Sequence, residues 1–417
     1  AKDLVHPKTG EVILKRNDHI SVDQSRQIAD IEEVVELALR SPLICAHPHG
    51  VCVKCYGIDL GTNETVQIGQ AVGVIAAQSI GEPTTQLTLK NKSDARARGD
   101  ITQGFPRVEE LFELRTPKAK AAIADIEGNI QIIENEADVT LRISSVKKLR
   151  RSFNVTDQDQ VLVKRLQTVK KGELLLTQAD GTEIKAEHEG KIETAEGKLY
   201  LLIEKEVESE ILIGNIRDVL IKNGEFVSVG QQLTYGSIDP KELADYTDVP
   251  TAQRYLINEL QAVYAAYGIA IDDVHLETIV QQMGRYGVIT DGGESIEMLA
   301  SDYADILDIE IENAKLASEG KRAVQFERTI LGLTGASLKT ESFLSAASFE
   351  QQVRVLTDAA LIGKVDHLRG LKENVIIGRP VPIGNVLIQR LSGESVQNID
   401  LSLGDGRGMP EYVQENQ

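Results

Sequence analysis

Apolar positions near the start of the chain recur at spacings of three and four. Ile28, Ile31, Val35, Ala38 and Leu39 fall on one helical face of IADIEEVVELAL, so the lead-in from Val5 to about Ser41 is predicted to be polar and helical. The segment VQIGQAVGVIAAQSIGEPTTQLTLK is apolar and rich in small residues. It predicts two helical pieces parted at Gly81-Glu82-Pro83, because proline has no amide hydrogen to give to the preceding turn. KNKSDARARGD then lacks any large apolar side chain and reads as an exposed connection. DITQGFPRVEELFELR returns to amphipathic helix.

From about Lys118 to Asp239 the pattern changes to short β-like runs (AAIADIEGNIQII, VTLRI, QVLVKRL, ELLLT, GKIETAEGKLYLLIE, EILIG, DVLI, EFVSV) separated by Gly, Asp and Asn, which predicts barrel or sandwich modules. Two turns in this stretch, Lys170-Lys171-Gly172-Glu173 and Lys222-Asn223-Gly224-Glu225, share a K-x-G-E plan that falls short of a repeat. Beyond Thr251 helices return. Leu256, Leu260, Val263, Tyr264 and Tyr267 mark one face, Leu276, Ile279, Val280 and Met283 a second, and a third helix runs from about Phe349 to Leu361. The tail after Asp400, with Gly404, Gly406, Gly408 and Pro410, reads as frayed. The fold class is α+β and multidomain.

The composition agrees with several packed cores. In 417 residues the hydrophobic fraction is 41%, and 45 Lys+Arg against 64 Asp+Glu give a net charge of −19. At roughly 100 to 200 residues per domain, two to four domains are expected. No run approaches the roughly 18 uncharged apolar residues of a membrane helix, and the first residues could not serve as a signal peptide, so the expectation is cytoplasmic. The first methionine is Met283, which makes the chain read as a piece of something longer. The acidic average does not exclude nucleic acid, since an acidic body can carry a basic track.

All three cysteines, Cys45, Cys52 and Cys55, form C-x6-C-x2-C between Pro and Gly punctuation. That spacing suits thiolate ligation of zinc better than disulfides. Zinc wants four ligands, so the fourth is either His47 or His49 or a cysteine on a segment this chain lacks; the alternative is buried thiols without metal. No H-E-x-x-H pattern is adjacent, which points to a structural rather than a catalytic ion.

Arg142, Lys147, Lys148, Arg150, Arg151, Lys164, Arg165, Lys170 and Lys171 make a basic stretch that either faces phosphate or protects a strand edge by charge. Lys90, Lys92, Arg96 and Arg98 form a second basic group on the exposed connection. No phosphate loop and no clustered Asp-x-Asp triplet appears, so the chain alone has no evident magnesium site and is not expected to catalyse.

Four segments carry a resemblance. LICAHPHGVCVKCYGIDL, then IGQAVGVIAAQSIGEPTTQLTL and DITQGFPRVEELFE, resemble the C-terminal part of the bacterial DNA-directed RNA polymerase β′ subunit. TGASLKTESFLSAASFEQQVRVLTDAALIGKVDHLRGLKENVIIGRPVPIG is similar to the β′ segment holding the switch region at the base of the clamp. The resemblance covers about Asp3 to Asn385, the β-rich middle less distinctively.

The resemblance implies a layout: a zinc knuckle within 1–70, trigger-loop helices and the following helix over 71–117, and β-rich jaw and barrel-sandwich modules over 118–240. A helical region over 241–330, a switch-like clamp-base segment over 331–390 and a flexible tail over 391–417 complete it. It also implies that the fourth zinc cysteine lies well upstream of the other three, and that catalytic Mg2+ is held by an N-A-D-F-D-G-D motif in an earlier part of the subunit. The trigger loop, which folds over the incoming nucleoside triphosphate, maps to about Ala71 through Gly104. Within it, Gln86 matches a glutamine that approaches the ribose, Leu89 an apolar side chain that packs on the base, and Lys90 a triphosphate-facing arginine.

Where the family pattern runs T-F-H-T-G-G, this sequence has Asn91-Lys92-Ser93-Asp94-Ala95-Arg96, so Ser93 stands in place of the family histidine. Serine is no general acid near neutral pH, which leaves positioning by a hydrogen bond and acid assistance lost or moved to Lys90 or Lys92. Arg107 is expected near downstream DNA, and Lys339, Thr340 and Arg354 near the template strand, as phosphate contacts without sequence preference. Implied partners are the β subunit, the α dimer, ω, the remainder of β′, a sigma factor, template DNA, RNA and nucleoside triphosphates, with no membrane; the implied location is cytoplasmic and nucleoid-associated. The competing reading is a non-catalytic zinc-containing DNA-binding or interaction module, either derived from a polymerase or related to biotinyl or lipoyl carriers. No Met-Lys carrier pair is present.

Overall fold

The computed structural model describes the chain except residues 1, 7, 9, 11, 32, 33, 35, 48, 49, 91–103, 135–138, 155–159, 162, 164–166, 178–182, 187, 188, 196, 197, 215, 297 and 393–417. The chain divides into two compact units. One is built from Ala1–Ala97, Gln103–Arg115 and Gln253–Gln417, the other mainly from Thr116–Ala252. No helix among the described residues is long and apolar enough to cross a membrane.

The first unit is mostly helical. Its lead-in differs from the periodicity reading. A hairpin pairs Leu4–Val5 with Val12–Leu14, and the helix is Val22–Ala29. Ser21 and Gln24 form a reciprocal capping box that starts the helix early, satisfying two orphan donors, and the helix closes at Asp30. Ile31 and Val34 are carried by single i+3 turns instead.

Further along, Val72–Lys90 is one helix with Pro83 inside it, not two pieces. Thr84 and Thr85 send their hydroxyls back to the Ile80 and Gly81 carbonyls, bridging the turn where proline gives no hydrogen bond. Its apolar face buries Ala76 and Ile80, and it packs on the helix Asp273–Met283, whose Leu276, Val280 and Met283 are fully buried. The expected helix over 251–267 is Val249–Ala266, and that at 349–361 is Gln352–Leu361.

The region expected to be helical up to residue 330 also contains an antiparallel sheet, with Tyr286–Asp291 between Tyr303–Asp305 and Gln325–Thr329. Ile289, Ile309, Leu316 and Val324 form the small core beneath it.

The second unit is built on a ribbon of two 16-residue strands, Val139–Asn154 and Lys198–Ile213, paired antiparallel along their whole length. One core, including Ile130, Leu141, Ile143, Val227 and Leu233, sits at one end of the ribbon. A smaller one, Val169, Leu175, Leu176, Ala186 and Ile192, belongs to the segment inserted between its strands. Among the described residues its sheets are open, six strands in one and three in the other, with no closed barrel.

Arg142, Lys147, Lys148, Arg150 and Arg151 of the basic stretch lie on Val139–Asn154, which pairs with Lys198–Ile213 along its whole length but with Gly128–Glu134 only through Val139–Ser144, while Lys170 and Lys171 lie in a later turn and Lys164 and Arg165 outside the described residues. The register sets Arg142 opposite Glu210 and Lys148 opposite Glu204, and Arg142 pairs with Glu210 at 2.7 Å. Arg142 and Glu210 thus form an opposite-charge pair across the ribbon.

The K-x-G-E echo is real and has a third copy. In Lys170–Glu173, Lys222–Glu225 and Ser228–Gln231 the fourth residue's side chain accepts from the first residue's amide, at 2.9, 2.9 and 3.0 Å. In each, the glycine takes a positive φ, +88°, +83° and +77°. Each glycine amide donates to a carbonyl of a neighbouring segment, of Ala186, Ile130 and Ala124 in turn. The same residue's amide then donates back to the fourth residue's carbonyl.

The first and third copies share more. Val169 and Val227, immediately before the turns, pair with Gly190 and Gly128. These glycines sit in A-x-x-E-G-x-I at Ala186–Ile192 and Ala124–Ile130. The unit contains one small module twice, with its pieces in opposite chain order.

Candidate functional site

Ser41 caps the 3-10 turn Pro42–Ile44, and proline at its first position suits a turn that needs no amide there. The turn ends on Cys45. Cys52 then begins the single helical turn Val53–Tyr56 that carries Cys55, and Gly57 at φ +87° releases the chain. The three Sγ atoms lie within 4.8 Å of one another. The Cys52 amide donates to Cys45 Sγ at 3.4 Å.

Arg40 completes the cluster. Its Nη2 donates to Cys55 Sγ at 3.3 Å and approaches Cys52 Sγ at 3.7 Å, while Nη1 donates to Asn17 Oδ1 at 2.9 Å. Burial pushes the Cys55 thiol up to about 11, against the pull of Arg40. Burial also opposes the Cys52 thiolate, but hydrogen bonds from the Cys55 amide, the neighbouring thiols and Arg40 outweigh it and hold Cys52 below the ordinary thiol range. Three convergent soft donors with a guanidinium beside them suit a thiophilic cation. His47 is exposed and not part of the cluster, and His49 lies outside the described residues.

Gln86, Leu89 and Lys90 share the last five residues of the Val72–Lys90 helix, and Ser93 lies outside the described residues. The next described helix is Phe105–Phe112, begun by Gly104 at φ +67° with Pro106 in its first turn. Arg107 on this helix is only 3% exposed. It pairs with Glu110, with Glu259 at 3.0 Å, and reaches the Tyr255 hydroxyl at 3.4 Å. Its guanidinium is therefore committed inside the protein, and a phosphate contact would require these partners to release it.

Of the remaining expected DNA contacts, Lys339 and Thr340 are neighbours in the chain and Arg354 lies further along. Lys339 closes the Leu333–Leu338 helix with its ammonium 5.4 Å from the Tyr303 ring centroid, and half-buried Thr340 follows. Arg354 is exposed, with Gln351 at 3.3 Å and Asp358 at 3.9 Å.

A family model for RNA polymerase Rpb1, domain 5, matches residues 11–341. The chain belongs to this family. It is 41% identical over 395 residues to the DNA-directed RNA polymerase subunit beta' of Chloroflexus aurantiacus, covering 94% of this chain and 26% of that protein. The beta' subunit of Dehalococcoides mccartyi is 40% identical over 395 residues, 92% of this chain and 30% of its own length. That of Clostridium botulinum is 38% identical over 385 residues, 92% and 28%. The chain is a bacterial β′ portion and spans less than a third of the relatives it matches.

Sequence reasoning missed Arg40, Glu259 and the hydroxyl of Tyr264. Arg40 immediately precedes the Ser41-Pro42 turn, and no spacing rule marks it. Tyr264 reads as one more apolar-face residue, yet its hydroxyl lies 2.7 Å from Thr84 Oγ1.

Proposed function

We propose that the chain supplies the trigger loop, jaw modules and clamp-base switch segment of a bacterial RNA polymerase, which copies DNA into RNA from ribonucleoside triphosphates in a complex with β, the α dimer, ω, the rest of β′ and a sigma factor. The observation that carries this reading is the pair of helices Val72–Lys90 and Phe105–Phe112 flanking residues 91–103, with Gln86, Leu89 and Lys90 gathered at the end of the first. Lys90 faces the triphosphate, Gln86 the ribose and Leu89 the base. Ser93 holds a hydrogen bond without serving as an acid.

Cys45, Cys52 and Cys55 hold Zn2+ with a fourth donor from outside these 417 residues. The ion supplies a structural cross-link that fixes the knuckle. The acidic motif that carries catalytic Mg2+ in the family is not in this sequence, so this chain contributes substrate positioning and not metal chemistry. Lys339, Thr340 and Arg354 face template phosphates. Arg107 acts from inside the protein.

The test is single-nucleotide addition on a primed DNA/RNA scaffold by the reconstituted polymerase, with metal analysis of the same sample. Lys90→Ala should slow addition at least about tenfold, since it removes a preorganised charge from the reacting phosphates. A Ser93→His variant that adds nucleotides no faster would count against lost acid assistance. The Ser93 replacement also motivates the second reading, a polymerase-derived module without turnover. Assembly and DNA binding with no extension at all would establish that reading instead.

A further inference from the structure

One helix holds both of the helices that flank residues 91–103. The fully buried Tyr264, on Val249–Ala266, sets its hydroxyl 2.7 Å from Thr84 Oγ1 and 3.4 Å from the Ile80 carbonyl. These are the residues around Pro83, where Val72–Lys90 lacks a backbone hydrogen bond and is locally soft. Further back on the same helix, Glu259 and Tyr255, four residues apart and so on one face, take the Arg107 guanidinium of Phe105–Phe112 at 3.0 and 3.4 Å.

Neither contact is needed to bury this helix, because Leu256 and Leu260 already do that. A buried cation between two carboxylates is a poor source of net stability, since desolvation offsets the attraction, but it fixes geometry. A tyrosine hydroxyl placed beside a proline turn likewise braces direction more than it adds cohesion.

We propose that Val249–Ala266 sets the position of both trigger-loop stems during nucleotide addition. Tyr264 acts on the first stem through Thr84, and Glu259 with Tyr255 on the second through Arg107. These are positioning residues, and the proposal rests on reading Val72–Lys90 and Phe105–Phe112 as the helices that flank the trigger loop. Small misplacements of groups far from the chemistry are enough to slow a reaction that depends on alignment.

The experiment compares Tyr264→Phe, Glu259→Gln and Gln253→Met in the reconstituted polymerase, with Lys90→Ala as the check on the trigger-loop reading. Gln253 lies buried on the same helix and donates to the Val280 carbonyl at 3.0 Å, with no hydrogen bond to either stem among the described residues. Glu259→Gln leaves Arg107 its Glu110 partner, so the fold has no unpaired cation. Expected for Tyr264→Phe and Glu259→Gln is a roughly three- to tenfold lower maximal addition rate, the size of one or two lost hydrogen bonds. KM for the nucleotide, scaffold affinity and melting midpoint should stay near wild type, and Gln253→Met should add nucleotides at the wild-type rate. The proposal is overturned by wild-type rates in both stem variants while Lys90→Ala is slow, or by an equal loss in Gln253→Met, which would mean general loosening. If Lys90→Ala is itself without effect, the trigger-loop reading fails and this inference with it.

Discussion

Arg40 and Cys55 are in direct contact, with Nη2 3.3 Å from Sγ, and the same guanidinium also reaches Cys52 and Asn17. Zinc bound by thiolates alone leaves excess negative charge on sulfur, and a fixed cation donating to two of the sulfurs offsets part of it. Partners of this kind typically shift metal affinity by about 10- to 100-fold. Arg40→Gln in the assembled polymerase should therefore lose zinc to a competing chelator about 10- to 100-fold more readily. Arg40→Lys should recover only part of that retention, since one ammonium cannot span two sulfurs and an amide oxygen. Equal zinc retention in all three proteins would remove Arg40 from the site.

Gly69 and Gly384 meet backbone to backbone, the Gly384 amide donating to the Gly69 carbonyl at 2.9 Å. A Cβ on Gly69 would lie 2.6 Å from Gly384 N, and Gly69 has φ +94°. Strain and forced separation act together here, so Gly69→Ala should destabilise by about 2–4 kcal/mol. Hydrogen exchange should then speed up first in the helix Gly384–Ser392, which begins at this contact. Unchanged exchange there would show that the contact carries little.

Asp366 ties its own turn to the start of the Phe343–Ala347 helix. It accepts from Ser342 Oγ at 2.6 Å and from the Leu344 and Leu368 amides at 3.2 and 2.9 Å. Burial opposes the carboxylate, but these donors and Lys364 outweigh it and hold Asp366 below the usual carboxylate range. A depressed folded-state pKa stabilises above the unfolded value and ceases to do so as pH falls through the folded one. Protection of the Leu344 and Leu368 amides, relative to their intrinsic exchange rates, should hence fall from about pH 4 downward. Asp366→Asn should cost about 1–2 kcal/mol at neutral pH and flatten that acid limb. A wild-type acid limb in Asp366→Asn would assign it to other carboxylates.

What the sequence could reveal depended on how local each signal was. The cysteine cluster was legible because its three cysteines span eleven positions and the local turns bring their Sγ atoms together. The strands of the middle region were legible from runs between turn residues. Pro83 misled, because the threonine hydroxyls and Tyr264 that let the helix continue lie outside any proline rule. Arg107 read as a phosphate contact because its main carboxylate partner, Glu259, is 152 residues away. The basic row of the long strand gave no hint of its partner, because Glu210, which pairs with Arg142, is 68 residues away. The second copy of the module was hidden because Ser228 and Gln231 stand where the echo has Lys and Glu.

That last substitution makes the turns testable. Gln231 gives the Ser228 amide the same bond that Glu225 gives Lys222, at 3.0 against 2.9 Å, so the turn needs a side-chain oxygen and not a charge. Glu225→Gln should then leave the melting midpoint unchanged, whereas Glu225→Ala leaves the Lys222 amide without that partner and should cost about 1 kcal/mol. Gly224, at φ +83° with nothing within 4 Å of an added Cβ, isolates the backbone requirement from packing. Gly224→Ala should cost about 1–2 kcal/mol and Gly224→Asn less, because asparagine tolerates the left-handed region. Thermal unfolding of the four variants gives the ranking. Should Glu225→Gln prove as damaging as Glu225→Ala, charge rather than geometry holds the turn, and the equivalence with Ser228–Gln231 would be one of shape alone.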